Sequence, residues 1–83
     1  MADYNHAIEL NPNIALAYHN RGLVQFREGD FDGAIREYNR AIQLDSNYGL
    51  AYRNRGNAKR KKGDLNGAID DYNRAIKLGM TTD

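Results

Sequence analysis

The chain reads as an all-α protein made by stacking copies of one helical hairpin, and three observations predict it. Tyr4, Tyr38 and Tyr72 recur at a constant interval of 34 residues, inside the phrases Tyr-Asn-His-Ala-Ile, Tyr-Asn-Arg-Ala-Ile and Tyr-Asn-Arg-Ala-Ile. Around each later tyrosine the apolar residues fall at three- and four-residue spacing, the period of a helix with one buried stripe. The pairs Gly29-Asp30 and Gly63-Asp64 stand between apolar stretches, where one helix ends and the next begins. A unit of this kind cannot bury its apolar face alone and must lie against a neighbour.

The elements follow in order. Residues 1–12 repeat the tyrosine phrase but nothing before it, so they predict the second helix of a partial unit, closed by Pro12, which blocks further helix. Asn13 and Asn47 stand where the first helix of each complete unit is expected to begin. Gly22 and Gly56 fall inside those first helices, where glycine costs roughly 1 kcal/mol relative to alanine, so a packing role is expected of both. Gly29 and Gly63 suit the left-handed conformation that ends a helix, and Asp30 and Asp64 can accept hydrogen bonds from the free amides of the next one. Ala34, Ile35, Tyr38, Ala41, Ile42 and Leu44 then form the stripe of one second helix, and Ala68, Ile69, Tyr72, Ala75, Ile76 and Leu78 the other. The expected organisation is a single repeat domain, 1–83, with a partial unit at 1–12 and complete units at 15–48 and 49–82.

Composition excludes more than it identifies. The 83 residues contain no cysteine, which removes disulfides and thiolate zinc sites. The 41% hydrophobic and 28% charged content suits a soluble globular chain, no run approaches membrane-spanning length, and a cytoplasmic setting is expected. The only histidines are His6 and His19 and the only serine is Ser46, so a hydrolytic triad has little to be built from. Asp30 with Asp32, and Asp70 with Asp71, look like paired acids, yet capping and helix-dipole roles account for such acids, and neither a phosphate loop nor a dinucleotide fingerprint is present. No enzyme activity, cofactor or metal is expected.

The net charge of +1 hides a segregation. Residues 1–48 carry four cations against seven acids, and residues 64–83 carry two against four. Between them Arg53, Arg55, Lys59, Arg60, Lys61 and Lys62 stand with no acid at all.

Tyr18, Gly22, Ala34, Tyr38 and Ala41, repeated as Tyr52, Gly56, Ala68, Tyr72 and Ala75, resemble the signature of the tetratricopeptide repeat, and Tyr4, Ala7 and Pro12 resemble its tail. Arg21 and Arg55 depart from it where the signature has leucine, with their guanidinium groups expected outside, and Ser46 replaces proline. The resemblance implies a short right-handed solenoid whose first helices line a concave groove suited to a peptide. The groove positions it implies are Leu16, His19, Asn20, Leu23, Phe26 and Arg27 in one unit, and Leu50, Arg53, Asn54, Asn57, Arg60 and Lys61 in the other. Plain inter-helix packing of the leucines and a solvated basic surface are the competing readings of those positions.

Three partner classes follow. Arg53, Asn57, Arg60 and Lys61 fall near one helical face, which points to an acidic or amphipathic peptide. Apolar ends at Tyr4, Ile8 and Leu10 and at Ile69, Tyr72 and Ile76 point to homo-oligomers joined head to tail or by exchange. Nucleic acid fits the basic segment less well, because no aromatic residue interleaves it to stack on bases.

Overall fold

The computed structural model describes residues 13–79, and among them lie four helices and no strand: α1 (Asn13–Arg27), α2 (Phe31–Leu44), α3 (Gly49–Lys61) and α4 (Leu65–Lys77). The partial unit expected at 1–12, with Tyr4, Ile8 and Leu10, lies outside the described residues. α1 pairs with α2 and α3 with α4, α3 also packs on α2, and the two first helices α1 and α3 touch each other only lightly. Among the described residues the fold is thus an all-α tetratricopeptide-type solenoid of two stacked hairpins. No described helix is long and apolar enough to cross a membrane.

Both hairpin corners use the same chemistry. Gly29 and Gly63 take φ of 83° and 91°, the left-handed conformation that side chains resist. The Asp30 carboxylate then accepts from the Gly33 amide at 2.9 Å, and Asp64 from the Gly67 amide at 3.0 Å, each satisfying a first-turn donor. The start of α3 departs from expectation. The helix begins at Gly49 rather than at Asn47, with Tyr48 in the capping place and no side-chain cap bond. Asp45 takes over locally, accepting from the Asn47 amide at 3.1 Å and turning the chain between units.

The centre is built from small residues around one large one. Tyr38 is fully buried, together with Ala34 and Ala58, and Leu23, Phe26, Phe31 and Ile35 close around them. Gly22 earns its place in α1 by proximity to that tyrosine: a Cβ there would lie 2.5 Å from Tyr38 Cε1. Gly56 plays the same part against Tyr72, where a Cβ would lie 2.9 Å from Cε1 and 3.2 Å from the Ala68 carbonyl oxygen. The packing role expected of both glycines is therefore present, and the two tyrosines occupy equivalent seats.

Candidate peptide-binding surface

The twelve groove positions separate into three groups. Asn20, Arg27, Arg53, Arg60 and Lys61 are exposed, as are Leu16 and Leu50. Leu23 and Phe26 turn inward against the Tyr38 cluster, Phe26 edge-on to Phe31 with ring centroids 5.2 Å apart, which corrects their reading as groove-lining side chains. His19, Asn54 and Asn57 form a polar chain that joins the two units.

His19 is only 3% exposed and lies beside the rings of Tyr38 and Tyr48, at 5.7 and 5.2 Å between centroids. It is interior, not groove-facing. Burial holds its imidazole below the ordinary value, partly offset by Asn20, and its Nε2 lies in hydrogen-bond contact with Asn54 Nδ2 at 2.8 Å. Asn54 Oδ1 in turn faces Asn57 Nδ2 at 3.5 Å, and Asn57 Oδ1 accepts from the Tyr72 hydroxyl at 2.6 Å. Leu23 stands where Asn57 would be in the first unit, so the equivalent Tyr38 hydroxyl has no partner among the described residues, and burial pushes its pKa up to about 12.

The six cations of the basic segment divide between two faces of α3. The Arg55 guanidinium donates to both carboxylate oxygens of Asp71, at 2.9 and 2.7 Å, and to Asn39 Oδ1 at 2.8 Å. This bidentate bond raises the Arg55 pKa further and corrects the expectation of an outward guanidinium there. Lys59 reaches the same carboxylate at 3.2 Å, and Lys62 pairs with Asp32. Arg53, Arg60 and Lys61 have no ion-pair partner among the described residues and are exposed on the opposite side of α3, Arg53 and Arg60 two turns apart and Lys61 next to Arg60.

Asp71, 3% exposed, is the organising acid that motif reasoning passes over. A signal for it exists in the repeat itself. Arg21 pairs with Glu37 at 3.3 Å, and both Arg–acid pairs span 16 residues. Arg21 and Arg55 also stack over Tyr18 and Tyr52, at 5.7 and 5.3 Å.

Two hairpins locked by repeated glycine–tyrosine seats and repeated Arg–acid pairs define a helical-repeat scaffold. Models of the tetratricopeptide repeat match residues 3–36 and 49–78, and a TPR repeat model matches residues 26–59. The chain belongs to the tetratricopeptide repeat family. Among solved structures it is similar to two crystal structures of MamA, a protein of the same repeat class, each at 32% identity over 90% of this chain, with TM-scores of 0.76 and 0.75. It spans 44% and 41% of those chains. Curated proteins give no match.

Proposed function

We propose that this protein–protein interaction scaffold is noncatalytic and holds an acidic or amphipathic peptide across the exposed face of α3 and the neighbouring side of α1. One observation carries the reading: Arg55, Lys59 and Lys62 pair with acids of the same chain, while Arg53, Arg60 and Lys61, without an ion-pair partner among the described residues, stay together on the open face. Unpaired cations at helical spacing favour carboxylates by charge-assisted hydrogen bonds. Leu16 and Leu50, both exposed, supply apolar contact beside them. The test is titration of a fluorescein-labelled glutamate- and leucine-rich peptide into the wild type and the R53E/R60E double variant. Loss of binding with an unchanged helical dichroism spectrum is expected. Equal affinity in the folded variant would remove the basic face from the mechanism, and tighter binding of a labelled single-stranded oligonucleotide would move the reading to nucleic acid.

Self-association through the ends is the second reading, supported by Ile69 and Ile76, which α4 leaves exposed together with Leu65, whereas Tyr72, expected beside them, turns its ring to Gly56 and its hydroxyl to Asn57.

A further inference from the structure

His19, Asn54, Asn57 and Tyr72 lie end to end from α1 through α3 to α4, and the three contacts between them are unequal. His19 Nε2 meets Asn54 Nδ2 at 2.8 Å and the Tyr72 hydroxyl donates to Asn57 Oδ1 at 2.6 Å, whereas Asn57 Nδ2 is 3.5 Å from Asn54 Oδ1, a long and weak contact. Asn54 and Asn57 are half-buried and fall between Arg53 and Arg60 on α3, in the stretch that carries the cations without ion-pair partners. The first unit has no such chain, because Leu23 stands in the place of Asn57.

The chain has one direction. An amide nitrogen only donates, so the Asn54–His19 contact is a hydrogen bond while Nε2 carries no proton. A proton there sets a donor against a donor. The contact is restored when the Asn54 amide turns over, giving Oδ1 to the ring and Nδ2 to Asn57. Asn57 keeps its orientation, held by the short bond from Tyr72, so the break falls at the 3.5 Å link. Two amide nitrogens then face each other with no acceptor between them, close to Arg53, and a carboxylate oxygen is the group that satisfies both.

Resting on the reading that α3 holds an acidic peptide, we propose that His19 is a proton switch for that site: when protonated it turns Asn54 and strengthens the hold on a peptide carboxylate. The surroundings of the ring leave the ligand as its counter-charge. From α2 it faces Tyr38, from the connection between the units Tyr48, from α3 Asn54, and on its own helix Asn20. Burial raises the pKa of both tyrosines, so neither is an anion near neutrality. Arg27 acts on Tyr38 and Asp45 on Tyr48, and among the described residues no acid forms an ion pair with the ring. Burial lowers the His19 pKa in the free protein, and a bound carboxylate raises it. By linkage, affinity then rises as pH falls through the bound-state value, by at most about tenfold per pH unit for one proton.

Calorimetric titration of the unlabelled glutamate- and leucine-rich peptide between pH 7.5 and 5.5, with dichroism confirming the fold at each pH, tests the switch. The peptide's own glutamates lose charge only toward the acid end of that range, which weakens binding, so a gain cannot come from them. Wild-type affinity should rise about threefold to tenfold as pH falls. His19→Gln, whose side chain takes up no proton, should show no rise, and Asn57→Leu, which copies the first unit, should remove most of it. A measurement on the wild type alone stands beside the variants: the His19 ring signals in NMR should titrate at a higher pH with the peptide bound than without it. A flat or falling wild-type affinity, a rise that persists in folded His19→Gln, or a His19 titration that the peptide leaves unmoved would overturn the switch while the basic face remains the site. No binding at any pH would overturn the face itself, and the switch with it.

Discussion

His19 shows how one position changes meaning between sequence and structure. Its place in a first helix, one of two histidines in the chain, suits a ligand-facing side chain; the fold instead closes Tyr38, Tyr48 and Asn54 around it. Among the described residues no acid pairs with this ring, and its Nδ1 has no partner. The folded pKa therefore lies below the ordinary 6.5, and between those two values the unfolded chain binds a proton that the folded chain does not. Stability from this group is complete above about pH 6.5 and is lost as pH falls from there toward the folded pKa, with a slope of at most about 1.4 kcal/mol per pH unit. Urea midpoints measured between pH 7.5 and 5.5, above the range where ordinary carboxylates titrate, should fall with pH in the wild type. The His19→Gln variant should follow a flatter curve. Equal slopes in the two proteins would mean that this imidazole does not control the loss.

At the scale of the helix, the glycines inside α1 and α3 are maintained against helix propensity by the tyrosines they admit. Gly22→Ala gains about 1 kcal/mol of propensity but forces a methyl group to within 2.5 Å of a fully buried ring, an overpacking cost of about 1–3 kcal/mol. Gly56→Ala meets the ring of Tyr72, which is only partly buried, at the longer distance of 2.9 Å, and the Ala68 carbonyl oxygen at 3.2 Å. Thermal unfolding should rank wild type above Gly56→Ala above Gly22→Ala; a stabilised Gly22→Ala would show that the ring moves freely and that propensity dominates. Much of this scale is legible in the sequence. Gly-Asp corners, apolar stripes and the glycine–tyrosine interval are local or periodic, and a repeat prints each of them twice. What escapes depends on who the neighbour is. Asp71 reads as one of two adjacent acids until α3 brings Arg55 and Lys59 to it, Phe26 reads as groove-facing until Phe31 meets its edge, and the start of α3 shifts because Asp45 rather than Asn47 turns the chain. The same pairing divides the six cations, a division that charge counting along the chain cannot reveal.

For the molecule as a whole, stacking makes stability a sum of hairpin and interface terms, so the helices are not equally secure. α2 and α3 are each packed against both a hairpin partner and the other unit, whereas α4 is packed on α3 and leaves Leu65, Ile69 and Ile76 in solvent. Burying a side chain of that size contributes about 1.5–3 kcal/mol, so the missing cover is large beside the net stability of a domain this small. Native-state hydrogen exchange at low protein concentration should therefore show α4 amides opening at a lower free energy than those of α2 and α3. If a second copy covers the face, protection in α4 should rise with concentration, because a ligand that binds only the closed form stabilises it by mass action. The Ile69→Asp variant should keep its low, concentration-independent value. Amides of α4 as protected as those of α2 at high dilution would show that the hairpins open as one cooperative unit, and the unequal cover of the two second helices would then have no thermodynamic consequence.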